Sequence, residues 1–80
     1  MRLDKYLKVS RVIKRRTVAN DACDAGRVTV NGKIAKASQE VKIGDVMEIR
    51  FGNNLTKIEV LSIKEQVRKE EATEMYRAIE

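Results

Sequence analysis

The apolar residues change their period at Gly26, and that change limits the folds open to this chain. Upstream they recur at helical spacing. Between Arg2 and Ser10, the residues Leu3, Tyr6, Leu7 and Ser10 share one arc at about 100° per residue, with Arg2, Lys5 and Lys8 opposite. A helix this short is unstable alone, so Leu3 and Leu7 must anchor on the rest of the chain. A second helix is predicted from Arg15 to Ala25. Val18, Ala22 and Ala25 form its buried stripe, with Ala19 and Cys23 beside it and Asn20, Asp21 and Asp24 on the far side. Gly26 suits the left-handed cap that ends a helix.

Downstream the period is two. Val28 and Val30, then Met47, Ile49 and Phe51, then Ile58 and Val60 alternate with polar residues and read as strands. Asn31-Gly32 favours a two-residue hairpin turn, because both central positions need positive φ. It leads into a short partner strand over Lys33 to Ala35, and Gly44-Asp45 and Asn53-Asn54 mark further turns. From Glu65 the spacing is helical again, through Ala72, Met75, Tyr76 and Ile79, and Ser62 with Glu65 is a candidate capping box. The predicted fold is therefore α+β: two N-terminal helices packed on a small, mostly antiparallel twisted sheet, plus a C-terminal helix. Eighty residues without proline or a Gly/Ser linker make one domain. Residues 1–64 form its body, and 65–80 a helical tail in the same compact unit.

Charge is distributed unevenly. Residues 1–33 hold nine cations and three anions, a net of +6, whereas 34–80 hold eight and nine, a net of −1. The whole excess lies in the first half. That asymmetry points to an acidic partner, above all nucleic acid, against the alternative of an ordinary lopsided surface. The sharpest feature is Arg11-Val-Ile-Lys14-Arg15-Arg16, which runs into the second helix. Cations at a helix start oppose its dipole by about 0.3–1 kcal/mol each when exposed. A bound phosphate reverses that sign, since helix-opening N–H groups and arginine forks both accept it. Arginine also holds phosphate in a bidentate manner and stacks on bases. Arg2, Arg11, Arg15 and Arg16 are thus the leading RNA contacts, with Lys5, Lys8 and Lys14 as point charges around them.

Asp4 is an anion inside this basic stretch. It reads as structural, pairing with a neighbour such as Lys8 or favouring the first helix start. Tyr6 and Tyr76 each complete an apolar arc and read as core, and Cys23 reads as a small packing residue. A single cysteine makes no intramolecular disulfide, which fits a reducing compartment. No apolar run approaches the ~20 residues of a membrane span. The opening Met1-Arg2-Leu3-Asp4-Lys5 lacks a signal peptide's apolar stretch, and both features point to the cytoplasm. Catalysis has little to work with. There is no histidine, one cysteine cannot build a zinc cluster, and the four glycines are isolated at turns rather than gathered in a phosphate loop. No metal, no cofactor and no enzymatic activity are expected.

Four strings in order carry a resemblance: Arg2-Leu-Asp-Lys-Tyr-Leu7, Arg16-Thr-Val-Ala19, Gly26-Arg-Val-Thr-Val-Asn-Gly32 and Val41-Lys-Ile-Gly-Asp45. Together they resemble the RNA-binding domain first described in ribosomal protein S-four, over about two-thirds of the chain. The resemblance implies two short helices on a twisted sheet, docking on structured RNA. It places Arg2, Lys5 and Arg16 at recurrent basic positions, and Asn31 and Gly32 at the hairpin. Arg15 stands where the family often has a small capping residue, and Ile43 where it often has proline. Arg11 to Thr17, Phe51-Gly52 and Lys69 to Tyr76 further resemble the branch of small bacterial heat-shock-type ribosome-binding proteins and RqcP-type factors. That branch implies binding to large ribosomal subunits obstructed by peptidyl-tRNA, with contacts to ribosomal RNA and tRNA. It also implies an RqcH-type partner that adds an alanine tail to the stalled chain, and a monomeric protein without chemistry of its own.

Three other functions share parts of this pattern. A general structured-RNA adaptor in ribosome assembly or translation control uses the same surface without preferring obstructed subunits. A DNA-binding regulator matches two helices and a turn, but Asp21 and Asp24 on the second helix suit a major groove badly. The C-terminal helix, rich in acidic residues, also fits a protein-docking element.

Overall fold

The computed structural model describes residues 1–79. Two helices, α1 (Leu3–Val9) and α2 (Arg16–Asp24), precede strands β1 (Val28–Val30), β2 (Lys33–Ile34), β3 (Val46–Phe51) and β4 (Asn54–Val60). A single turn of helix, α3 (Lys69–Ala72), and a last strand, β5 (Tyr76–Ala78), close the chain. The strands form one antiparallel sheet in the order β2-β1-β3-β4-β5. The α+β expectation holds. No described helix is long and apolar enough to cross a membrane.

Alternation sets the register. Val30 faces Met47 across β1 and β3, and Met47 faces Ile58 across β3 and β4, so one sheet face is continuously apolar. Leu3, Tyr6 and Leu7 of α1 bury completely against it, as their shared arc requires, and Ser10 is buried with them. Full burial of such side chains contributes about 1.5–3 kcal/mol each. The start of α1 is held by the sequence-distant segment 37–41. Leu3 N–H donates to the Gln39 carbonyl (2.8 Å) and Asp4 N–H to that of Ala37 (3.1 Å). Two of the helix's orphan donors are thereby satisfied.

The second helix turns a different side inward from the one its pattern suggests. Its buried residues are Ala19, Ala22 and Cys23, while Val18 and Ala25 are exposed. The small residues lie at the crossing with α1, where close backbone approach matters more than side-chain bulk. Burial pushes the Cys23 thiol up to about 11, so it stays protonated and packs as a small apolar group.

Asn31 (φ 53°) and Gly32 (φ 84°) both take the left-handed conformation that their hairpin turn demands. Asn31 does more. Its Oδ1 accepts from Val46 N–H (3.0 Å), and its Nδ2 donates to Asp45 Oδ1 (3.1 Å). The Asn-Gly and Gly-Asp turns are therefore bolted together. The β3–β4 turn falls on Gly52 and Asn53, and Asn54 already pairs with Phe51 as the first residue of β4. Phe51 lies at the strand end, past the core, and is partly exposed.

The C-terminal segment departs most from expectation. The helix predicted from Glu65 shrinks to Lys69–Ala72, preceded by Arg68 without a side-chain cap, so Ser62 and Glu65 form no capping box. The chain then pairs with β4, with Val60 opposite Tyr76 and Ile58 opposite Ala78. An open β4 edge would leave a row of unpaired backbone groups, and β5 covers it. Met75 is fully buried, and its carbonyl accepts from the Tyr6 hydroxyl (2.8 Å) and from Leu61 N–H (2.8 Å). These bonds take a group that a continuing helix would have used, and tertiary pairing overrides the local period. Tyr76 is half-buried beside the core, and Glu80, the last residue of the expected helix, lies outside the described residues.

Candidate nucleic-acid interface

The seven cations singled out above all lie on α1, α2, their joining loop or the residue before each helix. Asp4 organises the first group. The residue is only 3% exposed, yet it is charged, and it sits in the first turn of α1 where the dipole favours an anion. Arg2 Nε lies 3.3 Å from one carboxylate oxygen, and Arg16 Nε lies 3.4 Å from the other. Asn20 Nδ2 donates at 3.4 Å and the Lys5 N–H at 2.8 Å. Burial alone would raise the Asp4 pKa; hydrogen bonds from Arg16, Asn20 and Lys5 N–H, with the Arg16 charge, outweigh it and hold it below the ordinary value. Lys8 is not the partner, because the carboxylate is directed to the α2 side.

This geometry has a chemical consequence. One buried carboxylate fixes two guanidinium groups, one from the residue before α1 and one from the first residue of α2. Both arginines remain about half exposed, at 51% and 47%. Their outer N–H groups are free to grip an anion, and their rotamers are already chosen. A bidentate, charge-assisted grip on phosphate follows from that arrangement.

A second group lines a cleft of about 560 Å³ between the helix–helix loop and the C-terminal segment. Lys8, Arg11, Lys14 and Lys69 line it, together with Val9, Val67, Gln66 and the Glu65 carboxylate. Arg11 has φ 63°, in the left-handed region where glycine is usual. Its N–H donates to the Lys8 carbonyl at 3.1 Å, which ends α1, and Ile13 N–H donates to that of Leu7 at 3.0 Å. The buried Ile13 side chain pins the loop to the core. The strained residue is thus held by its surroundings and presents its guanidinium outward.

The other two cations are placed differently. Lys5 is engaged by Glu65, an ion pair that ties α1 to the C-terminal segment. The hydrogen bond from Lys5, and then its charge, hold the Glu65 carboxyl below the ordinary value. Arg15 is extended (φ −121°) at the start of α2, with no side-chain cap and no acidic residue in the first turn. Sequence reasoning missed Asn20 as an Asp4 ligand and Lys69 as a wall of the cleft. An acid at a helix start within a cation run was the visible signal for the first; the second had none, being distant in sequence.

The S4 domain matches residues 1–47, more than half of the chain. The chain belongs to the S4-domain family. Within it, the protein is 59% identical over 76 residues to the RQC P-site tRNA stabilizing factor of Halalkalibacterium halodurans, covering 95% of this chain and 86% of that one. It is 57% identical to the factor of the same name from Streptococcus pneumoniae, covering 99% of this chain and 90% of that one. Among solved structures it is similar to the trimeric structure of Vibrio cholerae heat shock protein 15, with a TM-score of 0.91 at 36% identity, covering 99% of this chain and 81% of that one. The fold, the S4 motifs and the likeness to RqcP-type factors thus agree.

Proposed function

We propose that this S4-domain protein is an RNA-binding factor of bacterial ribosome-associated quality control. It binds large ribosomal subunits obstructed by peptidyl-tRNA, contacts ribosomal RNA and the tRNA, and supports alanine tailing of the stalled chain. The observation that carries this reading is the pair of arginines, Arg2 and Arg16, braced on the buried Asp4. That brace presents a phosphate grip on the helical face of an S4 domain. Lys8, Arg11 and Lys14 around the cleft, with Arg15 and the Lys5–Glu65 pair beside them, extend the basic surface. The names of its relatives supply the target, a P-site tRNA.

In this reading the protein works as a monomer in the cytoplasm, with an RqcH-type tailing factor on the same particle. Peptide-bond chemistry belongs to the ribosome, and the chain itself binds and positions. The body over residues 1–64 carries the RNA contacts, and 65–80 is tied to it through β5 and the Lys5–Glu65 pair. Reconstitution tests the reading. Purified obstructed large subunits, alanyl-tRNA and an RqcH-type factor should yield alanine tails with the parent chain and few or none with Arg16→Ala. Tails of equal length with and without the protein would leave a general structured-RNA adaptor as the better description.

A further inference from the structure

The opposite side of the molecule carries a feature that RNA binding does not use. Arg50 N–H donates to the Arg27 carbonyl at 2.9 Å, so these two arginines stand side by side at the start of β1 and the end of β3. Like charges directly opposite on neighbouring strands destabilise a sheet. Among the described residues neither arginine meets a carboxylate, and nearby Glu48 is engaged by Lys57 at 3.7 Å. Exposed apolar side chains surround the pair. Ile34 (71% exposed) and Leu55 (55% exposed) line a hollow with both arginines on the sheet face turned away from α1 and α2. Arg27 also borders an adjoining hollow at the sheet edge, which reaches onto α2 with Val18, Asp21 and Phe51. Among the described residues, four of the six large exposed hydrophobic side chains thus gather around Arg27.

We propose that this patch is a docking surface for an acidic, apolar segment of a protein partner. The unpaired arginines call for carboxylates, and the aliphatic rim calls for apolar side chains. Arginine is also among the residues enriched in protein–protein hot spots. RNA fits less well, because Ile34 and Leu55, which flank both arginines, are aliphatic and offer neither stacking platforms nor hydrogen bonds to bases. The hollow that holds both arginines lies on the far side of the sheet from Asp4, so one molecule engages RNA and this partner together.

The test uses the full chain in bacterial cells, with the photo-crosslinking residue p-benzoylphenylalanine at Leu55 and, separately, at Ile34. The expected product is an adduct to a protein segment of net negative charge with apolar side chains. Arg27→Glu with Arg50→Glu should lower its yield at least ten-fold, and reversing the acidic residues of the crosslinked segment to lysine should restore it. An adduct to RNA alone, no adduct at either position, or one indifferent to the arginine reversal overturns the proposal. The neutral pair Arg27→Gln and Arg50→Gln separates docking from folding. Removing the like-charge contact should leave Tm equal or higher while the adduct falls; a lower Tm alongside the lost adduct marks the pair as structural and overturns the docking role.

Discussion

The carboxylate of Asp4 holds Arg2 and Arg16 at 3.3 and 3.4 Å, so one buried anion sets the geometry of two cations fourteen residues apart, at the starts of α1 and α2. The charge arithmetic of this cluster then runs against intuition. Asp4→Asn raises the net charge by one, which by itself strengthens binding to RNA. It also releases both arginines from their brace. The expected outcome is weaker RNA binding, with a stability loss of about 1–2 kcal/mol after allowing for the solvation of the two half-exposed arginines. Filter binding and urea denaturation measure the two effects. Tighter binding by the variant would show that charge alone governs the interface.

The same group gives the protein an acid limb. The folded pKa of Asp4 lies below its ordinary 3.8. Its stabilising contribution is therefore complete above that value and is lost as pH falls through the lower folded pKa. Between about pH 6 and about pH 2 the parent should lose more stability than Asp4→Asn, whose limb is flatter. Parallel limbs would place the acid sensitivity elsewhere.

Arg11 trades stability for charge. A non-glycine residue at φ 63° carries about 1 kcal/mol of strain. Arg11→Gly relieves it, partly offset by the flexibility glycine adds to the unfolded chain. The variant should gain about 0.5–1 kcal/mol by denaturation yet bind RNA more weakly. Weaker binding without a stability gain would show that the loop is not strained in solution.

Tyr6 links the first helix to the last strand. Its hydroxyl donates to the Met75 carbonyl at 2.8 Å, and burial pushes its phenol pKa well above the ordinary value. Tyr6→Phe should cost about 1 kcal/mol, at the low end because Leu61 N–H still serves that carbonyl. Hydrogen exchange at Tyr76 to Ala78 should quicken first, since β5 is short and lies at the sheet edge. Unchanged exchange there would detach the tyrosine from the closing strand.

Much of this was legible from residue periods. Leu3, Tyr6 and Leu7 shared an arc and are buried together, and Asn31-Gly32 fixed its turn by φ alone. Errors arose where distant residues decided the outcome. The α2 stripe was misplaced because close packing on α1 selects Ala19 and Cys23 over the larger Val18. The tail read as helix because Ala72, Met75, Tyr76 and Ile79 keep helical spacing, and the need to cover the β4 edge is invisible locally. For the interface, composition located the basic half of the chain. Which cations share an anion depends on contacts such as Asp4 with Arg16, twelve residues apart.

The central claim is that the arginines braced on Asp4 grip RNA of obstructed large subunits. Co-sedimentation tests it most directly, using purified large subunits that are either vacant or carry peptidyl-tRNA, across a salt series. If about five phosphates are neutralised on single-strand-like RNA, log affinity falls against log salt with a slope near about −3.5. The account predicts strong preference for the obstructed subunits, that slope for the parent chain, and loss of binding in Arg16→Ala. Binding that is equal on both particles, or indifferent to salt and to Arg16→Ala, would contradict it.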